Sequence, residues 1–169
     1  IGTTCSTECA QPSRPHSCLL TMRCLATALL ALLLAAPSVS LAQSANDRAA
    51  VRQAALDYVE ALYEVDTARI ARSVHPDLTK YGYYRIDGAY RGGAMTYDEL
   101  TQLTLRWNRD RRRVDPETAA KEVVVFDVLD KTASAKVVAH WGVDYMHLAK
   151  EDGQWLIRNI LWQSPPPGE

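Results

Sequence analysis

The sequence predicts an α+β domain in which three N-terminal helices pack on one face of a curved antiparallel sheet, so that helices and sheet enclose a cone. Two observations carry this. Apolar residues recur at helical spacing in the first half of the domain and at a spacing of two in the second. The turn signals Asp87-Gly88, Asp130-Lys131 and Asp152-Gly153 then cut the second pattern into strands.

The elements follow in order. Ser44 with Asp47 resembles a capping box, and Val51, Ala55, Tyr58, Leu62 and Val65 fall on one stripe of a first helix. Asp66 caps a short second helix carrying Ile70 and Val74, which Pro76 stops at His75. There His75 is placed to cap the last helical carbonyls. Thr79 to Ile86 is tyrosine-rich and β-like, and Tyr90 to Gly93 returns as a short irregular strand, with Gly92-Gly93 as a hinge. Thr96 with Glu99 opens a third helix, on which Leu100, Leu103, Thr104 and Trp107 share a face. Glu122 to Leu129 is a strand. Ala133 to Lys150 reads as one long strand bent near Gly142, and Gln154 to Gln163 is the last. A tail, residues 164–169, follows from Ser164-Pro165-Pro166-Pro167.

The domain proper begins near Gln43. Residues 22–42 read as a secretory signal: Arg23 supplies the charged start, Leu25 to Ala36 the apolar stretch, and Ser40-Leu41-Ala42 the small residues for cleavage. The apolar stretch is too short to span a bilayer, which takes roughly 18 residues. Residues 1–21 read as an upstream, non-native segment. A periplasmic or secreted domain is therefore expected, with no membrane span after cleavage.

Cys5, Cys9, Cys18 and Cys24 all precede the cleavage point, so thiol chemistry, disulfides and zinc–thiolate sites are excluded from the domain. Without Arg14, Arg23 and Glu8 the balance is 17 basic against 19 acidic residues, net −2, which does not suggest nucleic acid as a partner. Arg109, Arg111, Arg112 and Arg113 are interleaved with Asp110 and read as a solvated helix end. No metal-ligand spacing, nucleophile motif or phosphate-cradling glycine loop is present, and no cofactor is implied.

The run Asp57-Tyr58-Val59-Glu60-Ala61-Leu62-Tyr63-Glu64-Val65-Asp66, continuing through Val74-His75-Pro76-Asp77-Leu78-Thr79-Lys80, resembles the N-terminal signature of the putative lumazine-binding proteins. Asp144-Tyr145-Met146-His147-Leu148, with Asp152-Gly153-Gln154-Trp155-Leu156-Ile157 and Asn159, resembles the same family's last hairpin. That family belongs to the nuclear transport factor 2-like (SnoaL-like, cystatin-like) superfamily. The resemblance implies a cone-shaped barrel that dimerises through its sheet and a pterin-like ligand. The chain departs from the family pattern after Lys80, where Tyr81-Gly82-Tyr83-Tyr84 stands.

Faces of the last hairpin follow from its turn. A two-residue turn at Asp152-Gly153 pairs Glu151 with Gln154, Leu148 with Ile157, Met146 with Asn159 and Asp144 with Leu161. Trp155, Ile157, Leu161, Met146 and Leu148 then share an apolar inner face with Val138, His140 and Asp144, while Lys150, Leu156, Arg158 and Tyr145 lie opposite. A three-residue loop would instead bring Tyr145 and His147 to the face of Trp155. The candidate ligand-binding residues are Tyr58, Tyr81, Tyr84, Trp107, His140, Asp144 and Asn159.

Three functions fit. A non-catalytic binding protein would hold a small hydrophobic or aromatic ligand, since 8 Tyr and 4 Trp against 1 Phe suit a pocket that buries and orients. An isomerase, dehydratase or cyclase would use Asp144 as base, with His140 or a tyrosine as partner. A dimeric interaction module would use an outer face of Val137, Trp141, Val143 and Tyr145. Equally, Asp144 could serve only to order the core by accepting hydrogen bonds from tyrosine hydroxyls or the Trp107 indole.

Overall fold

The structure is a computed structural model that describes residues 37–167. The apolar stretch Leu25–Ala36 and the four cysteines lie outside the described residues. The packing lies within the unit Ala42–Glu169. Helix α1 spans Pro37–Glu64, α2 Thr67–Ser73 and α3 Tyr97–Trp107; strands are β1 Val74–Ile86, β2 Ala89–Met95, β3 Lys121–Val128, β4 Thr132–Ala139, β5 Gly142–Glu151 and β6 Gln154–Gln163. The six strands form a curved, unclosed sheet in the order β2-β1-β6-β5-β4-β3, with helices on one face. That is the expected α+β class.

Local signals explain most boundaries. Asp66 caps α2 by accepting from the Ala68 amide, and Thr96 and Glu99 make the full capping box of α3. Asp87-Gly88 and Asp152-Gly153 each take two successive positive φ values, the geometry of a two-residue hairpin turn. Buried Val51, Ala55, Tyr58 and Leu62 face the inner wall of Val123, Val125, Ala135, Val137, Met146, Leu148, Ile157 and Ile160.

Several expectations are corrected. Ser44 lies inside α1 and caps nothing; Asp47 instead reaches Lys150 and Trp155. β1 begins at Val74, directly after α2, and pairs in parallel with β6. His75 caps no helix, because its Nδ1 accepts the Asp77 amide. The long strand from Ala133 is two strands, β4 and β5, since Ala139 pairs with Gly142 across a turn at His140-Trp141.

Gly92 and Gly93 are no hinge. They pair inside β2 with Tyr83 and Gly82, and a Cβ at Gly92 would stand 2.2 Å from the Tyr81 hydroxyl. The β3 edge is closed from the side: Arg48 and Arg52, one helical turn apart on α1, donate to the carbonyls of Val125 and Val123.

Gly142 has φ 136°, and a Cβ there would lie 2.0 Å from the Gln163 carbonyl oxygen. Gly142→Ala should therefore cost about 3 kcal/mol, from backbone strain and overpacking together. Gly153 also has positive φ but open space around it, so Gly153→Ala should cost only about 1 kcal/mol. Urea midpoints of both variants check this; equal losses would mean that the Gln163 contact decides nothing.

Candidate functional site

Four elements converge on one buried polar cluster at the inner wall. Alternation along β1 turns Leu78, Lys80 and Gly82 inward, and on β5 it turns Asp144, Met146 and Leu148 inward. Tyr58 arrives on the apolar stripe of α1, and Trp141 from the turn before β5. Lys80 Nζ lies 2.5 Å from the Tyr58 hydroxyl oxygen and 3.2 Å from Asp144 Oδ1. The Tyr58 hydroxyl donates to the same Oδ1 at 3.2 Å, and the Trp141 indole donates to Oδ2 at 2.5 Å. Tyr58 and Asp144 have no exposed surface and Lys80 keeps 6%.

Aromatic rings wall the cluster. Trp141 packs edge-on against Tyr58, Tyr63 and Trp107, while Tyr63 stacks on Trp107. The Trp162 ring centroid is 5.5 Å from the Lys80 ammonium, and the ring lies over Gly82, where a Cβ would come within 1.7 Å of it. Only glycine leaves that space. Trp107, Trp141 and Trp162 are half-buried; Trp107 packs on Trp141, and Trp162 borders the closed cluster on its Lys80 side.

Burial sets the ionisation of the floor. It holds the Lys80 ammonium below the usual lysine value, even though Asp144 pulls it upward. Burial also pushes the Tyr58 phenol well above its usual value, reinforced by the charge and hydrogen bond of Asp144, so the hydroxyl stays protonated as a donor.

The sequence-derived candidates divide into groups. Tyr58 and Asp144 meet at the floor; Trp107 packs on Trp141 beside it. The His140 ring is 6.2 Å from Trp107 but solvent-exposed, on a turn, so it does not converge with buried Asp144. Tyr84 lies against Gly93 near the open end of β1. Tyr81 and Asn159 line a pocket of about 330 Å³ that Leu78, Lys80, Ala94, Met95 and Thr96 also line. Lys80, Trp141 and Trp162 complete the cluster and were not among the candidates; Trp141, expected on an outer contact face, instead bonds buried Asp144.

The register explains the displaced ones. Glu151 pairs with Gln154 and Leu148 with Ile157 as expected, but a bulge at Arg158 then makes His147 pair with Asn159 and Asp144 with Trp162. Asn159 and Leu161 thus turn outward, and Ile160 and Trp162 inward. Val138 also turns outward, because Val137 is the β4 partner of Asp144. Val137 is therefore a core residue and no part of an outer face. Lys150 pairs with Trp155 and faces α1, where it bonds Asp47.

That second cluster is structural. The Asp47 carboxylate accepts from Lys150 at 2.5 Å, Trp155 at 3.0 Å and Gln43 at 3.2 Å, tying α1 to the last hairpin. The Lys150 and Trp155 hydrogen bonds lower its pKa from 3.8 to about 2. Among the described residues no group of three or more His, Cys, Asp or Glu side chains could hold a metal ion, and no helix is long and apolar enough to cross a membrane.

Two predictions follow from these ties. Because the folded value of Asp47 lies below the unfolded one, its stabilisation is complete above about pH 4 and fades as pH falls towards 2. Asp47→Asn should flatten the pH dependence of the urea midpoint in that window; an unchanged slope would mean that Asp47 titrates alike in both states. At the floor, Lys80→Met strands a buried carboxylate and should cost about 3–5 kcal/mol. In a double-mutant cycle with Asp144→Asn, the two losses should fall short of adding by at least ~2 kcal/mol; strict additivity would mean that the charges do not act as a pair.

Comparison with known proteins agrees with this geometry. Residues 46–163 match the family described as "Putative lumazine-binding". A nuclear transport factor 2-like protein of unknown function from Shewanella baltica is similar in structure, with TM-score 0.52, 15% identity, and coverage of 72% of this chain and 96% of that one. One of the same description from Methylobacillus flagellatus has TM-score 0.52 and 19% identity, covering 72% and 94%. A domain of unknown function with a cystatin-like fold from Nostoc punctiforme has TM-score 0.53 and 13% identity, covering 73% and 80%. At such identities these likenesses bear on the fold. No curated protein matches the chain. With the family match spanning β-sheet, helices and floor residues alike, the chain belongs to the putative lumazine-binding family, and its fold is like that of nuclear transport factor 2-like proteins.

Proposed function

We propose that this chain is an exported small-molecule-binding protein that holds a flat aromatic ligand against its half-buried tryptophans, with the ligand's polar edge towards Lys80. The observation that carries this is the juxtaposition of half-buried Trp141 and Trp162 with a buried cation that has fewer acceptors than donors. An ammonium has three donors, and Tyr58 and Asp144 accept from Lys80. Stacking on Trp107 and Trp141 would supply the apolar contact, and the remaining Lys80 proton the orienting bond. A pterin-like heterocycle, as the family description suggests, has both features. Export rests on the apolar stretch Leu25–Ala36 followed by Ser40-Leu41-Ala42, and places the domain in a periplasm or outside the cell.

A second property is compatible with the first. Tyr81 of β1, Leu161 of β6 and Tyr145 of β5 are neighbours in one row of the outer face, each exposed by 41–50%. Such a row is a natural contact for a second copy, and a homodimer is the assembly it favours. Catalysis with His140 beside Asp144 finds no support, since one is exposed and the other buried.

Native mass spectrometry of the protein purified gently from its own host tests the whole reading. The expected species is a dimer of chains starting at Gln43 with a small aromatic molecule retained. Lumazine should quench the tryptophan fluorescence of stripped protein, and Trp107→Leu should weaken binding about fivefold, the scale of one aromatic contact of ~1 kcal/mol. A species that retains nothing, and whose fluorescence lumazine and other flat heterocycles leave unchanged, overturns the binding function.

A further inference from the structure

We propose that Arg48 and Arg52 form an anion site at the β3 edge, which takes an organic carboxylate and seats its apolar body in the hollow beside them. The site is independent of Lys80 and the tryptophans and lies on different elements. Arg48 and Arg52 stand one helical turn apart on α1, and each donates one N–H to a β3 carbonyl, that of Val125 and of Val123 respectively. These bonds span 77 and 71 residues, so the fold itself holds both guanidiniums against the strand. A guanidinium carries five N–H donors in a planar fork. Neither arginine has a further hydrogen-bond partner or a salt bridge among the described residues.

Other arginines supply an internal comparison. Arg69, Arg72 and Arg158 also hydrogen-bond through their side chains, and each of them bonds a carboxylate. A carbonyl is a neutral acceptor, so the charges of Arg48 and Arg52 stay unneutralised, at the spacing where like charges on a helix repel. Acidic residues next to them in the chain do not answer them. Asp47 is taken by Lys150 and Trp155, and Glu122 pairs with Val138 on the outer face. Protection of the sheet edge alone needs no more than one long cation beside it; it requires neither the second arginine nor an apolar hollow that both line.

That hollow measures about 530 Å³, and its other walls are Ala45 and Ala49 of α1 and residues 123–125 of β3. The volume falls within the roughly 300–1,000 Å³ of small-molecule sites. Ala45 and Ala49 are also one turn apart, and their short side chains leave space along the helix. Apart from the arginines, every lining side chain is alanine or valine. A small bare anion would leave this wall unused, and an uncharged apolar molecule would leave the forks unanswered. A carboxylate on an alkyl or aryl body uses both, since its two oxygens match the fork and its body covers the wall.

The test is isothermal titration of the full chain with octanoate, alongside octanol, which has the body without the charge, and acetate, which has the charge without the body. Octanoate should bind about tenfold more tightly than either. Arg48→Gln and Arg52→Gln together should weaken octanoate about tenfold, while Arg106→Gln, at an exposed position of α3, should leave it unchanged. Should the double variant fail to fold, Arg52→Lys, which keeps the charge and loses the fork, should still weaken octanoate. Lumazine should not displace octanoate, because the hollow contains no tryptophan. Octanoate that binds no better than octanol, or binds the arginine variants as tightly as the original, overturns the anion site and spares the binding function proposed above. Displacement by lumazine overturns it too, since both ligands would then share one site.

Discussion

The ion pair of Lys80 and Asp144 constrains the molecule more than any other contact. Each partner alone would be a charge withdrawn from water at a cost of several kcal/mol, so each requires the other in place. The two come from strands separated by β6, and their oxygen and nitrogen meet only when β1, β6 and β5 are all in the observed register. A slip of one residue in β1 or in β5 would leave one charge inward alone and turn the other out to solvent. Tyr58 and Trp141 add the same demand on α1 and on the β4–β5 turn. The pair thus acts less as a source of stability than as a gauge of register, with an apolar core around it supplying the driving force.

Room for that arrangement comes from positions without a side chain and from a bulge. Gly82 lies under Trp162, so the indole can reach towards the ammonium instead of standing off the sheet. Gly142 lets β5 turn back beside the end of β6, which brings Trp141 over Asp144. The extra residue at Arg158 rotates the last part of β6 by half a pleat. It thereby moves Trp162 from the outer face to the inner one. The aromatic wall is therefore a product of local irregularities in the sheet, and a regular hairpin would have put Leu161 where Trp162 stands.

The same irregularities mark the boundary of what was legible beforehand. Helices α2 and α3, their caps, the Asp87-Gly88 and Asp152-Gly153 turns and the α+β class all depend on short-range patterns, and they were readable. Asp144 and Tyr58 were found because each is polar or amphipathic on an otherwise apolar stripe. Asn159 was placed on the wrong face because regular alternation was assumed beyond Ile157. A signal was present: inward apolar residues run Trp155, Ile157, Ile160, Trp162, and one interval of three among intervals of two marks the bulge. In the sequence, Lys80 stands out only as part of the family-like run. Its parity with Leu78 points it inward, but the identity of its partner depends on β1 lying parallel to β6, a long-range pairing that no local pattern encodes.

Comparison with the other ionic clusters shows why this one is more than a tie. Asp57 is nearly buried and accepts from Arg69, Arg72 and Gln53, yet the arginines keep 21% and 45% of their side-chain surface in water. Asp47 is bonded by Lys150, whose side chain keeps 18%. In both, a long cationic side chain holds a carboxylate while its own head stays partly hydrated, an inexpensive way to join helix to helix or helix to hairpin. Lys80 has given up that hydration almost entirely. Two apolar side chains of similar volume could join β1 to β5 at this point at least as firmly. A purely structural role therefore leaves the desolvated cation unexplained. A site that uses the Lys80 ammonium to orient a ligand accounts for it, because a hydrogen bond donated out of water is stronger than one donated in it.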